Sequence, residues 1–171
     1  MRKLLFCVAV LAASPAAAAL PVGSKAPDFT TTGAIAGKPF KLHLADQLKQ
    51  GPLVLYFFPK AFTSGCTAEA HAFSEAIGDF KKAGAQVIGM SADDLKTLHD
   101  FSAKECRSAF PVATATPEIQ KGYDVAWAAH PGITTRTSYV IGRNGKVAMV
   151  HDDLNFSEHV AKTLAAVKAL K

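Results

Sequence analysis

The stretch "YFFPKAFTSGCTAEAH", Tyr56 to His71, holds the residues best suited to chemistry. An apolar run breaks at Pro59, passes through the small-residue turn Thr63-Ser64-Gly65 and delivers Cys66. A dithiol redox motif would place a second cysteine three residues on, where this chain has Glu69. Cys66 is therefore either a packing residue or a nucleophile that works without a near neighbour. A thiol attacks only as its thiolate, and an ordinary cysteine, with a pKa of about 8.5, is mostly protonated at neutral pH. A place in the first turn of a helix would favour the anion, because unpaired backbone N–H groups and the helix dipole meet there. Gly65 would let the backbone approach closely, and a cation from elsewhere in the chain would add a direct charge interaction. Cys66 also continues the helical stripe Ala70, Phe73, Ile77 and Phe80, which turns its sulfur toward the core in a shallow pocket. Spacing alone leaves the buried structural cysteine and the nucleophile both open.

The elements that must position this turn are legible around it. "LVLYFF", Leu53 to Phe58, is a continuous apolar run of strand length, the pattern of a strand covered on both faces. After Pro59 the period becomes helical until Gly84. "AQVIGMS" is a second buried strand, and "DDLKTLHDFSAKEC" a helix capped by Asp93 or Asp94 with Leu95, Leu98 and Phe101 inward. "FPVATAT" is a third strand, followed by a short helix from Pro117 to Lys121. "RTSYVIGRNGKVAMVHD" is a hairpin turned at Asn144-Gly145. A last helix opens with Asn155 and Glu158 in capping-box spacing and packs through Phe156, Val160, Leu164 and Val167. Upstream, the Gly- and Pro-punctuated segment "VGSKAPDFTTTGAIAGKPFKLHL" predicts a lead-in hairpin, and "LADQLKQ" a short helix stopped by Gly51. The order defines an α/β domain, a mixed sheet with helices on both faces.

The 171 residues, 49% apolar and 19% charged, fit one globular domain. The amino end reads as a secretory signal: Arg2 and Lys3, an apolar run from Leu4 to Ala13, and an Ala-x-Ala site in "SPAAAAL" before Leu20. Residues 1–19 are thus expected to be removed and residues 20–171 to form the domain, exported to the bacterial periplasm without stable membrane insertion. An uncleaved anchor is the alternative. Two positive charges leave with the signal, taking the formal net charge from +5 to +3. The remaining cations are scattered, which argues against nucleic acid as a partner. Cys7 leaves too, and Cys66 and Cys106 remain, suggesting a permanent or transient disulfide in an exported protein. The six histidines, His43, His71, His99, His130, His151 and His159, show no metal-ligand spacing, so neither metal nor cofactor is expected. Trp127 and His130, shortly before Arg136, suit either a pocket rim or a sheet edge.

"PKAFTSGC" carries Pro59, Thr63 and Cys66 as Pro-x-x-x-Thr-x-x-Cys and resembles the active-site signature of the peroxiredoxins. "YFFPKAFTSGCTAEA", "VGSKAPDFT" and "RTSYVIGRNGKV" together resemble the bacterioferritin-comigratory, or Q, branch over nearly the whole mature chain. The resemblance implies a thioredoxin-like fold with an N-terminal hairpin and the reduction of hydrogen peroxide and small organic hydroperoxides. Cys66 would be the peroxidatic cysteine, oxidised to a sulfenic acid. Thr63 would offer its hydroxyl to peroxide and sulfur, and Pro59 would shield the pocket from water. Arg136 and the backbone N–H groups of Gly65 and Cys66 would stabilise charge passing to the leaving oxygen. Glu69 would fix the arginine as a partner behind it. Set against these roles, Arg136 also fits a solvated cation at a strand end, Thr63 a helix N-cap and Glu69 a first-turn acid.

Many members of that branch carry a resolving cysteine five residues after the peroxidatic one, where this chain has His71. The resemblance leaves Cys106 as the resolving thiol. It would form an intramolecular disulfide, recycled by a thioredoxin-like protein or a small thiol, in a monomer or weak dimer. Bridged Cα atoms must lie within about 7 Å, so local unwinding at Cys66 and in "KECRSAF" is expected. The rivals are a one-cysteine peroxidase, a thioredoxin-fold thiol–disulfide oxidoreductase, and a binding domain with a structural Cys66–Cys106 bond. The missing vicinal cysteine argues against the oxidoreductase.

Overall fold

The computed structural model describes residues 19–170. The predicted lead-in hairpin is β1 (Thr30–Ile35) and β2 (Lys38–His43), turned by Ala36 and Gly37, both at positive φ. Next come α1 (Leu44–Gln50), β3 (Leu53–Phe57), α2 (Ser64–Lys82), β4 (Gln86–Ser91) and α3 (Leu95–Lys104). β5 (Val112–Thr114), α4 (Pro117–Gly122), β6 (Thr137–Ile141), β7 (Val147–Asp152) and α5 (His159–Ala169) complete the order, with a 3₁₀ turn at Phe156–Glu158 before α5. The seven strands form one mixed sheet in the order β2-β1-β5-β4-β3-β6-β7, so the lead-in hairpin continues the main sheet through β1 and β5.

β3 lies parallel to β4 and antiparallel to β6, and all five of its residues are buried. Its alternation divides the core. Leu53, Leu55 and Phe57 join Leu44 and Leu48 of α1 and Ile119 of α4 on one face. Val54, Tyr56 and Phe58 join Cys66, Ala70 and Phe73 of α2, Leu98 and Phe101 of α3, Cys106 and Val167 on the other. Both thiols therefore lie in the same apolar layer.

Two sequence expectations are corrected. Leu95 is 38% exposed, because α3 begins with it and only Leu98 and Phe101 reach the core. The capping box at Asn155 is half made: Asn155 Oδ1 accepts from Ser157 N at 3.1 Å, but Glu158 pairs with Lys162 at 2.6 Å instead of returning to the cap. Asn155 caps the 3₁₀ turn, and α5 starts four residues later. The final helix packs on the core through Val160, Leu164 and Val167 as expected, and its fully buried line is His159, Thr163 and Val167.

Candidate active site

The turn between β3 and α2 is tied down from three sides. Thr134 Oγ1 donates to Phe58 O at 2.8 Å, and Ala61 N donates to Asp93 Oδ2 at 2.7 Å. Ser91 Oγ donates to the same Asp93 oxygen at 2.8 Å, so Asp93 braces this turn while Asp94 caps α3 through Thr97 N. Immediately after the anchored Ala61, Phe62 adopts φ +63°, a left-handed conformation costing a bulky residue roughly 1–2 kcal/mol. Its ring is 45% exposed and rests edge-on against Phe101, centroids 5.2 Å apart. Pro59 is half-buried at the start of the turn.

Thr63 occupies the N-cap position of α2, but its side chain caps nothing. Its hydroxyl donates to Lys60 O at 2.9 Å, and the residue is exposed. The first amides of the helix, Ser64 to Cys66, have no intrahelical acceptor and are available to an anion. Cys66 is 1% exposed, its sulfur facing the core layer as the stripe predicts.

Arg136, at the head of β6, the strand paired directly with β3, is 6% exposed, and its side chain makes three hydrogen bonds. Nε donates to Leu154 O at 2.8 Å, Nη1 to Glu69 Oε2, and Nη2 to Cys66 Sγ at 3.5 Å. The solvated-cation reading of Arg136 is thus excluded. A Cβ added to Gly65 would stand 3.2 Å from Arg136 Nη2, which is why this position carries no side chain. Glu69 is fully buried on the Cys66 side of α2.

Behind Glu69 lies a residue that sequence reasoning missed. His159 is fully buried, its Nε2 2.9 Å from Asp153 O, its Nδ1 2.8 Å from Ser138 Oγ and 3.7 Å from Glu69 Oε1. Its signal was the spacing His159, Thr163, Val167 along one helix face. Burial pushes the Glu69 carboxyl up to about 8, overcoming the opposite pull of Arg136. Burial also holds His159 neutral, down to about 4, against its bond to the Asp153 carbonyl.

The two groups give stability opposite pH dependences. His159 contributes stability that is present above its unfolded value near 6.5 and lost as pH falls toward 4. Glu69 contributes stability that is present below its unfolded value near 4.5 and lost as pH rises toward 8. Between about 4.5 and 6.5 they offset, and above 6.5 Glu69 acts alone. Urea unfolding is therefore expected to show the protein less stable at pH 8 than at pH 6.5, by up to about 2 kcal/mol, with Glu69→Gln flattening the difference.

Cys106 is fully buried just beyond α3, and both cysteines are free. Burial, with Glu105 adding to it, holds the Cys106 thiol far above the usual thiol range. Three contacts clamp its turn to the middle of α2: Ser74 Oγ donates to Cys106 O at 2.9 Å, His71 Nε2 meets Glu105 Oε2 at 2.9 Å, and Arg107 Nη1 meets Glu75 Oε1 at 3.1 Å. Arg107 and Ser108 both take positive φ. Ser74 lies two turns beyond Cys66, roughly 12 Å along the axis, so the clamp ties the Cys106 turn to the middle of α2 and not to its first turn. His71 stands on this clamp. Trp127 and His130 stack edge-on, centroids 4.4 Å apart, in the bend before Thr134. No cluster of metal-ligating side chains occurs among the described residues.

A mixed sheet with a single arginine-contacted thiol at a helix N-terminus defines a class, the thioredoxin-like domains whose chemistry centres on one cysteine. Comparison with known proteins makes it particular. Residues 22–150 match the AhpC/TSA family. The chain is 34% identical over 148 residues to chloroplastic peroxiredoxin Q of Arabidopsis thaliana, covering 86% of this chain and 67% of that protein. It is 32% identical over 151 residues to the Sedum lineare protein of the same name, covering 87% and 78%. Peroxiredoxin Q of Xanthomonas campestris superposes with a TM-score of 0.70 at 28% identity, over 81% of this chain and 89% of that one. Peroxidoxin BcpB from Mycobacterium tuberculosis gives 0.77 at 28% identity, over 88% and 97%. The chain belongs to the AhpC/TSA family, as a peroxiredoxin of the Q type with a thioredoxin-like fold, and it is a thiol peroxidase.

Proposed function

We propose that Cys66 is the peroxidatic cysteine and that Cys106 resolves it. The observation that carries this reading is the Arg136 fork, which faces the one thiol among the described residues that sits at a helix N-terminus. In the first step the Cys66 thiolate attacks one peroxide oxygen. The S–O bond forms as the O–O bond breaks, sulfur is oxidised to the sulfenic acid, and the second oxygen leaves as hydroxide or alkoxide, which takes up the proton released when the thiol ionised and becomes water or an alcohol. Arg136 and the Gly65 and Cys66 amides lie where the charge moves, and Gly65 leaves them room. Pro59 covers the turn, the exposed Thr63 hydroxyl is free to rotate from Lys60 O onto a bound peroxide, and Glu69 sets the arginine. Hydrogen peroxide and small organic hydroperoxides both suit a shallow pocket of this kind.

In the second step the Cys106 sulfur attacks the sulfenic sulfur. An S–S bond forms, and the hydroxyl leaves as water with the Cys106 proton. The clamp on α2 must open first, and opening also lowers the barrier to ionising a deeply buried thiol. An external dithiol, a thioredoxin-like protein or a small thiol, then takes the disulfide and returns two thiols.

One equivalent of hydrogen peroxide added to the reduced protein, with dimedone present, tests both steps by peptide mass spectrometry. The expected products are a dimedone adduct on Cys66 and a competing Cys66–Cys106 disulfide. Cys106→Ser should convert the product to the adduct alone. Dimedone on Cys106, or an unchanged adduct fraction in Cys106→Ser, would sink the respective assignment and leave a one-cysteine peroxidase.

The export signal lies outside the described residues, and within them no helix is long and apolar enough to cross a membrane. We retain export to the periplasm, with cleavage before Leu20 and a domain of residues 20–171, on the pattern of the leader. The relatives named chloroplastic make an organellar transit peptide the second reading. Fractionation of a bacterium expressing the full chain separates them. A periplasmic product beginning near Leu20 supports export, and an unprocessed cytoplasmic one opposes it.

A further inference from the structure

One anchor of the Arg136 fork belongs to a surface loop. Arg136 Nε donates to Leu154 O at 2.8 Å, yet Asp153, Leu154 and Asn155 are all exposed, Leu154 by 57%. An exposed loop holds a carbonyl in place only as firmly as the loop itself is held. Two bonds grip the backbone of Asp153. Its amide donates to Arg136 O at 3.2 Å, and its carbonyl accepts from His159 Nε2 at 2.9 Å.

The fully buried His159 ring is oriented for that contact. Asp153 O can only accept, so Nε2 carries the ring hydrogen, and Nδ1 offers the lone pair that Ser138 Oγ–H meets at 2.8 Å. Both ring nitrogens are satisfied and the tautomer is fixed. The ring makes no hydrogen bond to Glu69, whose Oε1 lies 3.7 Å from Nδ1, so its route to the arginine runs through the loop. Between the peptide that it pins and the Leu154 carbonyl lie only the two backbone dihedrals of Leu154.

We propose that His159 is a positioning residue for Arg136: oriented by Ser138, it fixes the Asp153–Leu154 loop so that Leu154 O holds the guanidinium against the Cys66 sulfur. The need for such a hold follows from the reaction. Arg136 Nη2 meets Cys66 Sγ at 3.5 Å, but the sulfur is the atom that reacts and cannot serve as a lasting anchor. The planar fork is therefore oriented by its other two acceptors, Glu69 Oε2 and Leu154 O. Glu69 is rigid because it stands on a buried helix face. Leu154 O is rigid only if its loop is tied to the core, and His159 is the buried side chain that ties it.

This reading rests on Cys66 being the reactive thiol, which the dimedone adduct decides without touching His159, so the two fail separately. Two substitutions separate the ring nitrogens. A glutamine amide nitrogen can stand where Nε2 stands, whereas an asparagine side chain ends near Nδ1, short of Asp153 O. His159→Asn is expected to slow oxidation of Cys66 by hydrogen peroxide about tenfold, and His159→Gln by less than about threefold, in quenched-flow mass spectrometry. In the Arg136→Met background His159→Asn should add nothing, since the group it positions is gone. The Arg136 Nε–H signal in a proton–nitrogen correlation spectrum, assigned by its loss in Arg136→Met, gives a readout without peroxide. It should persist in His159→Gln and broaden through solvent exchange in His159→Asn. Equal rates in the two variants, an unmoved signal in His159→Asn, or an effect that persists without Arg136 would each overturn the proposal. If His159→Asn does not fold, Ser138→Ala takes its place, because losing the hydroxyl frees the tautomer. Oxidation about threefold slower with a weakened Nε–H signal then supports the proposal, and a wild-type rate overturns it.

Discussion

Cys66→Ser is expected to lower peroxide turnover by at least about 10⁴-fold while leaving the folded state within about 1 kcal/mol of wild type. The two halves of this expectation come from different features of one position. The catalytic half follows from chemistry at oxygen, where a serine hydroxyl ionises too weakly to displace hydroxide or alkoxide. The stability half follows from packing: serine is close to cysteine in volume, and Arg136 Nη2, now 3.5 Å from the sulfur, can donate to the new hydroxyl. A coupled assay with thioredoxin and its reductase, beside urea unfolding, measures both. Retained turnover would move the reactive thiol elsewhere, and Cys106→Ser in the same assay shows where. In Cys106→Ser the first oxidation should proceed at the wild-type rate in a single-turnover measurement, and only recycling by a dithiol should slow.

The strand–turn–helix frame around Cys66 was readable because each part is specified locally. β3 is apolar at every position, α2 shows a clean helical stripe, and Pro59 and Gly65 mark the turn between them. Glu69 was ambiguous for a physical reason. It stands three residues after Cys66 and so shares its helix side, but an acid close to a helix start reads as equally at home in solvent; α2 begins at Ser64, so Glu69 falls in its second turn and the first-turn reading is set aside. Only Arg136, arriving from β6, decides for burial. Such long-range meetings leave no periodic trace.

His159 shows a different limit, a correct apolar pattern with polar residues buried beside it. Val160, Leu164 and Val167 do pack on the core, and α5 carries His159 and Thr163 inward along with them. A buried polar pair at i and i+4 looks like a solvent face until its partners appear. Here these are Ser138 and Asp153 for the ring, and the helix's own carbonyls for Thr163. The clamp on Cys106 was hidden likewise, since Ser74, Glu75 and His71 become meaningful only once α3 is laid beside α2. The family resemblance named the chemistry; the relation between the two cysteines, free thiols in one buried layer, needed the fold.

Arg136→Met should cost peroxide reduction about 10²–10³-fold in kcat/KM, the size expected when a preorganised donor to a developing charge is lost. Methionine keeps much of the volume and removes all three hydrogen bonds, to Leu154 O, Glu69 and Cys66. Stability should fall as well, because Glu69 is left buried without its cation, and breaking a buried pair from one side typically costs about 3–5 kcal/mol. Burial already pushes the Glu69 carboxyl up, and a neutral carboxyl tolerates burial better than a carboxylate, so the loss should lie at or below the lower end. The two effects separate in the double variant Arg136→Met/Glu69→Leu. Removing both partners should recover most of the stability, as apolar replacement of buried pairs commonly does, but none of the activity. Arg136→Lys closes the argument from the other side. It keeps the positive charge, yet a single ammonium cannot span a carbonyl, a carboxyl and a sulfur at once, so activity should still drop about tenfold or more. Charge alone would predict near-wild-type turnover for the lysine variant, and that result would remove the fork geometry from the mechanism.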